Sequence, residues 1–350
     1  MPEGQRLKVV HVAVDAHNLA RDDRGIGRYA RAVLSRAVRD TRFRWTFVVR
    51  DLFPKRAAVA QALGADAVDV ARHVPRDADV MWFPWNGTFL RTDVPSVATV
   101  HDAAPFAFPS TDPRKRAIEQ NPFLATANSA RRILVQSRFT ADEVEHRLGV
   151  AAERIVVTPL AVDAVFAPGP RGALPAELRG LRYVLHVGAH DERKNTATLI
   201  AAFARAFPAG DVALAFTRRP PATPALPAGG VVIDAPDDAT LAALYRGAAL
   251  VALPSTYEGF GFPLLEAMAC GAPVLAARAG SLPEVGGDAA AWVDDAHDAG
   301  AWANALRELL ADDAARAALS KLGLARAATF SWERCTAQTL AVLGEVAALA

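Results

Sequence analysis

The stretch Pro254–Val274 reads PSTYEGFGFPLLEAMACGAPV. The apolar run Ala249–Leu253 leads into it and predicts a buried strand. Glu258-Gly259-Phe260-Gly261 makes a glycine-rich turn, and Pro263 starts a helix that Gly271 ends, with Pro273 beyond. Strand, pliable turn and helix N-terminus form an anion site, because unpaired N–H groups and the helix dipole both face the turn. Glu258 lies in the turn, and Glu266 follows after seven intervening residues, in the opening turn of the helix. A carboxylate there can also accept hydrogen bonds from ligand hydroxyls. The combination suits a ligand with both phosphate and hydroxyls, such as a sugar nucleotide. Left to themselves, two acids at a helix start would only complement the dipole, at about 0.3–1 kcal/mol each.

The segment resembles the E-x7-E signature of the retaining, GT-B-fold glycosyltransferases of family 4. The resemblance implies that Glu258 lies near the donor sugar and that Glu266 holds the ribose of the nucleotide. It covers essentially the whole chain and is strongest from Val157 to Phe330.

Composition bounds the alternatives. At 350 residues the chain can hold two domains with separate cores. With 39 Lys+Arg against 38 Asp+Glu, the net charge of +1 argues against a whole-surface nucleic-acid binder. Cys270 and Cys335 stand far apart and define neither a metal spacing nor a disulfide framework. No apolar run approaches the roughly 18–20 residues of a membrane span, and the N-terminus shows no signal-peptide core. A reducing, cytoplasmic location is expected.

Short Val/Ile/Leu runs alternate with Ala-rich helical stretches, the pattern of parallel sheets covered on both faces. Strands are predicted at Val9–Val14, Trp45–Val49, Val80–Phe83, Val97–Val100, Ile133–Val135 and Ile155–Val157, with helices at Tyr29–Val38 and Thr140–Leu148. The Pro- and Gly-rich stretch 166–182 reads as a linker. A second series follows: strands at Tyr183–Val187, Val212–Phe216, Val231–Ile233, Leu250–Leu253 and Val274–Ala276, and helices at Thr196–Phe207, Ala239–Arg246, Pro263–Ala269 and Ala299–Leu310. The expected fold class is α/β with GT-B architecture. Two doubly wound Rossmann-like domains, 1–165 on the acceptor side and 183–330 on the donor side, face each other across a cleft. A final helix, 331–350, is expected to cross back to the first domain.

Further residues fall at expected strand ends. Arg193 and Lys194 follow Tyr183–Val187 and precede the helix starting at Thr196. Two cations there suit a diphosphate leaving group, through charge-assisted hydrogen bonds of about 1.5–3 kcal/mol each. The family carries a similar basic pair. Many relatives also have an arginine directly after the glycine, where this chain has Ala189, so Arg193, Arg218 or Arg219 would supply that charge.

Gly25-Ile-Gly27-Arg-Tyr29-Ala30 is formally a dinucleotide fingerprint, but it begins ten residues after Asp15 ends the first strand, which argues against a nicotinamide site. It resembles the family's glycine-rich donor loop, with Gly27 as the backbone contact. His101-Asp102 resembles the family's His-Asp motif, where the histidine meets the donor sugar or the acceptor. Trp85 is an acceptor-side candidate through its ring face.

The resemblance therefore implies a retaining hexosyltransferase needing no metal and no cofactor beyond its nucleotide-sugar donor. Glu258, His101, Arg193 and Lys194 take the catalytic roles. Donor contacts fall at Gly27, Arg193, Lys194, Phe260, Gly261, Phe262, Leu264 and Glu266, and acceptor contacts at Asp102 and Trp85. The acceptor hydroxyl attacks from the face the nucleotide leaves, with a double displacement as the alternative. The pattern HD-x-x-P with VG…ERKN resembles bacterial mannosyl- and rhamnosyltransferases of polysaccharide assembly. That favours a GDP-mannose type of donor and leaves UDP-sugars open. The acceptor would be a glycan, a lipid-linked glycan or a small molecule, and nucleic acid is not an expected partner. Basic spots such as Arg114-Lys115-Arg116 would allow peripheral contact with an anionic membrane at its inner face. A silent sugar-nucleotide-binding scaffold and a sugar-nucleotide epimerase on the same fold are the rival readings.

Overall fold

The computed structural model describes residues 8–22, 25–51, 56–188, 191–220 and 225–349. The chain divides into two compact units, residues 1–160 with 332–350 and residues 161–331.

The first unit runs β1 (Val10–Asp15), α1 (Gly25–Ala37), β2 (Phe43–Val48), α2 (Arg56–Leu63), β3 (Asp69–Ala71), β4 (Val80–Asn86), β5 (Ser96–Thr99), α3 (Ala104–Ala107), α4 (Pro113–Ser129), β6 (Arg132–Val135), α5 (Arg138–Leu148) and β7 (Ile155–Val157). Among the described residues its strands form one parallel sheet in the order β3-β2-β1-β4-β5-β6-β7. Burial on both faces explains the near-continuous apolar runs; every residue of β5 is buried.

Helix ends follow the local chemistry. Ser137 Oγ accepts the Thr140 N–H at 3.0 Å to open α5, and Gly149, with φ at 63°, closes it in the left-handed region.

The second unit runs β8 (Tyr183–His186), α6 (Thr196–Ala206), β9 (Ala213–Phe216), β10 (Gly230–Val232), α7 (Asp238–Gly247), β11 (Leu250–Leu253), α8 (Phe262–Ala269), β12 (Val274–Ala277), α9 (Leu282–Gly286), β13 (Ala291–Val293), α10 (Ala299–Ala311) and α11 (Asp313–Ala327). Its parallel sheet has the order β10-β9-β8-β11-β12-β13. Leu199, Phe203, Phe216, Leu250 and Trp302 pack in the core between this sheet and α6 and α10. Cys270 is buried at the end of α8, and that burial pushes its thiol up to about 11.

Helix α12 (Trp332–Ala347) packs on α1, β4 and β5 of the first unit, where Cys335 is buried. The stretch 166–182, read from sequence as a linker, is built into the second unit. Phe166 and Leu178 are buried, and Arg246 donates to the Val165 and Ala167 carbonyls at 2.9 and 2.8 Å. Its prolines and glycines limit regular structure to one 3-10 turn at Ala176–Leu178 but do not prevent packing.

Candidate functional site

In the second sheet the strand order reverses between β8 and β11, so the crevice beyond their carboxyl ends is where an α/β sheet of this kind takes a ligand. Both loops leaving those ends carry the residues singled out from sequence. His186, the last residue of β8, donates from Nδ1 to the Ala252 carbonyl of β11 at 3.0 Å, and Thr196 at the start of α6 lies 3.2 Å from its Nε2. This locks the two strand ends and the α6 N-terminus together.

The β8 loop turns through Glu192–Lys194 as one turn of 3-10 helix and enters α6 at Asn195, which has φ at 50°. Asn195 sustains this left-handed conformation by donating from Nδ2 to the Pro254 carbonyl at 3.2 Å and the Ala296 carbonyl at 2.6 Å. The Arg193 carbonyl accepts the Thr256 N–H at 2.7 Å, which stitches this loop to the one after β11.

Lys194 and Glu258 meet in the resulting space. The Lys194 ammonium donates to Glu258 Oε1 at 2.5 Å, and each residue is only 9% exposed. Arg193 does not share this position; its Nε bonds Asp191 at 3.1 Å. Gly188 lies under the lysine, at φ 129°, and a Cβ there would touch Lys194 Nζ at 3.6 Å. Ala189 falls outside the described residues. Arg218 and Arg219 are exposed just beyond the carboxyl end of β9.

The backbone of Glu258 is held by residues that the sequence reading passed over. Ser281 donates to its carbonyl from both N–H, at 3.1 Å, and Oγ, at 2.9 Å. Gly280, at φ 58°, approaches so closely that a Cβ would stand 2.7 Å from the Glu258 nitrogen. The signal was Gly280-Ser281 directly after the apolar run of β12, in the same strand-to-helix setting as the Glu258 turn after β11.

Helix α8 begins at Phe262, after Gly261 at φ 94°, so Glu266 lies on its second turn rather than in the opening one. Leu264 N–H is engaged by the Gly261 carbonyl at 3.1 Å, and Pro263 has no N–H to offer. Phe260 anchors the turn by packing edge-on against Phe262 and Phe330. Glu266, 4% exposed, accepts from the Tyr245 hydroxyl at 2.9 Å.

In the first unit, His101 and Asp102 follow β5 at the sheet's carboxyl edge. His101 Nε2 bonds the Pro84 carbonyl at 2.9 Å, which requires the proton on Nε2 and leaves Nδ1 as the acceptor nitrogen. Its ring stands edge-on to Tyr29 at 4.8 Å. Burial pushes the imidazole below its ordinary 6.5, against the raising influence of the Pro84 carbonyl and of Asp102. An NMR titration of the His101 ring should therefore show a midpoint below 6.5. The unfolded chain binds that proton near 6.5 and the folded unit only at lower pH. The histidine thus subtracts stability as pH falls from about 6.5 toward the folded midpoint, and has no effect above that window. A ring titrating at or above 6.5 would contradict the buried, neutral geometry.

Asp102 Oδ1 accepts the Ala104 N–H at 3.1 Å, a local turn bond. Trp85 is 3% exposed, and its indole N–H bonds the Asp15 carbonyl at 2.8 Å. A ring so enclosed offers no face for a sugar to stack on, and core packing accounts for it. Gly27 lies in the first turn of α1, where a Cβ would fall inside the Asp22 carbonyl oxygen. Close approach of the chain to itself thus explains this glycine without a ligand.

Each unit is thus an α/β domain with a parallel sheet, and the second gathers acids and a cation at its switch point. The comparisons narrow this. Residues 9–166 match the family described as Glycosyltransferase Family 4, and residues 231–325 match Glycosyl transferases group 1. The O-antigen chain mannosyltransferase B of Escherichia coli is 34% identical over 267 residues, which cover 70% of this chain and 69% of that protein. The chain belongs to the family 4, group 1 glycosyltransferases, and it is an enzyme of that class. Solved structures agree on the GT-B fold. A sucrose-phosphate synthase from Thermosynechococcus elongatus superposes with a TM-score of 0.71 at 19% identity, over 97% of this chain and 99% of that one. HepE of Anabaena, solved with UDP and glucose, gives 0.70 at 16% identity, over 96% and 100%.

Proposed function

We propose that the second unit binds a nucleotide-sugar donor and that the enzyme transfers a hexose, of mannose or rhamnose type, with retention and without a metal. The observation that carries this reading is the buried Lys194–Glu258 pair at the β8/β11 switch point, with Glu266 on the adjoining helix. Glu266 takes the ribose hydroxyls. Lys194, supported by Arg193, meets the diphosphate and stabilises the negative charge that grows on it as the sugar C1–O bond breaks. Glu258 keeps the lysine oriented and faces the developing positive charge on the sugar. The acceptor oxygen forms the new bond to C1, and its proton passes to the departing diphosphate. His101, neutral and with Nδ1 as an acceptor, suits a hydrogen bond from a sugar hydroxyl.

A GDP-mannose type of donor is supported by the likeness to the E. coli mannosyltransferase, and by that likeness the acceptor is a glycan or its lipid-linked precursor. Among the described residues no helix is long and apolar enough to cross a membrane. Arg114, Lys115 and Arg116 are exposed at the start of α4 and give the cytoplasmic, membrane-peripheral part of the reading its support.

A thermal-shift panel of GDP, UDP, ADP and dTDP, with and without EDTA, tests the donor site. One nucleotide should raise the midpoint regardless of EDTA, by about 2.7 kcal/mol of stabilisation at a hundredfold excess over Kd. Glu266→Ala should abolish the shift. No shift with any nucleotide at millimolar concentration would remove the donor-site reading.

A further inference from the structure

Glu266 is held by a residue outside the signature. We propose that Tyr245 is a positioning residue for nucleotide binding, fixing the plane of the Glu266 carboxylate so that it can take both ribose hydroxyls. This rests on the donor-site reading and deepens it.

The last torsion of a glutamate side chain is broad and nearly two-fold, so nothing intrinsic sets the direction of its oxygens. Recognition of a vicinal diol requires that direction to be set, because both hydroxyls must find lone pairs at once. Tyr245, fully buried near the end of α7, donates its hydroxyl to Glu266 Oε2 at 2.9 Å. The phenol is itself fixed. Its ring packs edge-on against Phe166 at 6.0 Å, and the next residue, Arg246, holds the Val165 and Ala167 carbonyls at 2.9 and 2.8 Å. At the other end of α7, Asp237 caps the helix by accepting the Thr240 N–H at 2.8 Å. A helix held at both ends thus presents one hydroxyl to one carboxylate oxygen.

A buried tyrosine need not do this. Tyr183, also fully buried, donates to a backbone carbonyl, that of Leu244, at 2.7 Å. Tyr245 instead meets an ionisable side chain. A carboxylate can accept several hydrogen bonds, so the phenol orients Glu266 while leaving it capacity for a ligand.

The test is Tyr245→Phe in the full-length protein, which keeps the ring and removes the hydroxyl. GDP, UDP, ADP and dTDP are titrated, and the one that binds wild type is compared with its 2′,3′-dideoxy counterpart. The variant should bind the ribonucleotide about five- to twentyfold more weakly and the dideoxy nucleotide as wild type does, with an unliganded thermal midpoint lowered by only a few degrees as the buried carboxylate loses one donor. In a Glu266→Ala background the tyrosine change should have no further effect. In turnover, measured as nucleotide release, the donor KM should rise while kcat stays within about twofold, as loss of uniform binding requires. Equal weakening of both nucleotides, or none, would overturn the positioning role while leaving the donor site intact. Failure of wild type to bind any of GDP, UDP, ADP and dTDP would overturn the donor site and this role together.

Discussion

Lys194→Ala is expected to lower turnover about 100- to 1000-fold, the range seen when a preorganised group facing developing charge is removed. The same change should destabilise the second unit by about 3 kcal/mol, because Glu258 would be left buried without its partner. Loss of stability alone could mimic loss of function, so a double variant separates them. In Lys194→Met with Glu258→Gln no isolated charge remains, and stability should recover toward wild type while turnover does not. Chemical denaturation and nucleotide release measure the two quantities. Turnover returning with the neutral pair would show that the cation does not act on the diphosphate.

Gly27→Ala should lower the stability of the first unit by about 2–4 kcal/mol, and so its thermal midpoint by roughly 5–10 °C. The added methyl would overlap the Asp22 carbonyl oxygen, and that oxygen cannot easily retreat. Arg31 Nη1 donates to it at 2.7 Å and to the Leu19 carbonyl at 3.3 Å, so loop and helix are clamped together. Gly25→Ala, two residues away on the exposed start of α1, is the control and should be nearly neutral. A Gly27→Ala protein with an unchanged midpoint but weakened nucleotide binding would restore the diphosphate-contact reading of this loop.

The sequence exposed the α/β alternation because strands buried on both faces cannot avoid long apolar runs. It missed β3 and β13, which read Asp-Val-Ala and Ala-Trp-Val and lack the consecutive β-branched residues that betray the equally short β7 and β10. Helix α4 was also missed. Pro122 stands in its interior, which ordinarily argues against a helix, and its pattern carries charges rather than an apolar stripe. At the site, the two glutamates and the basic pair announce themselves by residue type and spacing. What spacing could not show is that Lys194 pairs with Glu258 while Arg193 turns to Asp191, since sheet register decides which neighbours meet. Gly280, Ser281, Asn195 and Tyr245 act through backbone geometry or through another side chain, and neither leaves a mark in composition.

The strands that launch the two site loops, β8 and β11, are the middle pair of their sheet, while the edges, β10 and β13, are three-residue strands. Sub-global opening of a sheet begins at its margins. Transient fraying of either margin therefore removes sheet area without moving the ends that carry Lys194 and Glu258. Insertions and sequence drift can accumulate at those margins, altering what the rim of the enzyme touches, while the spacing of the two charges stays fixed.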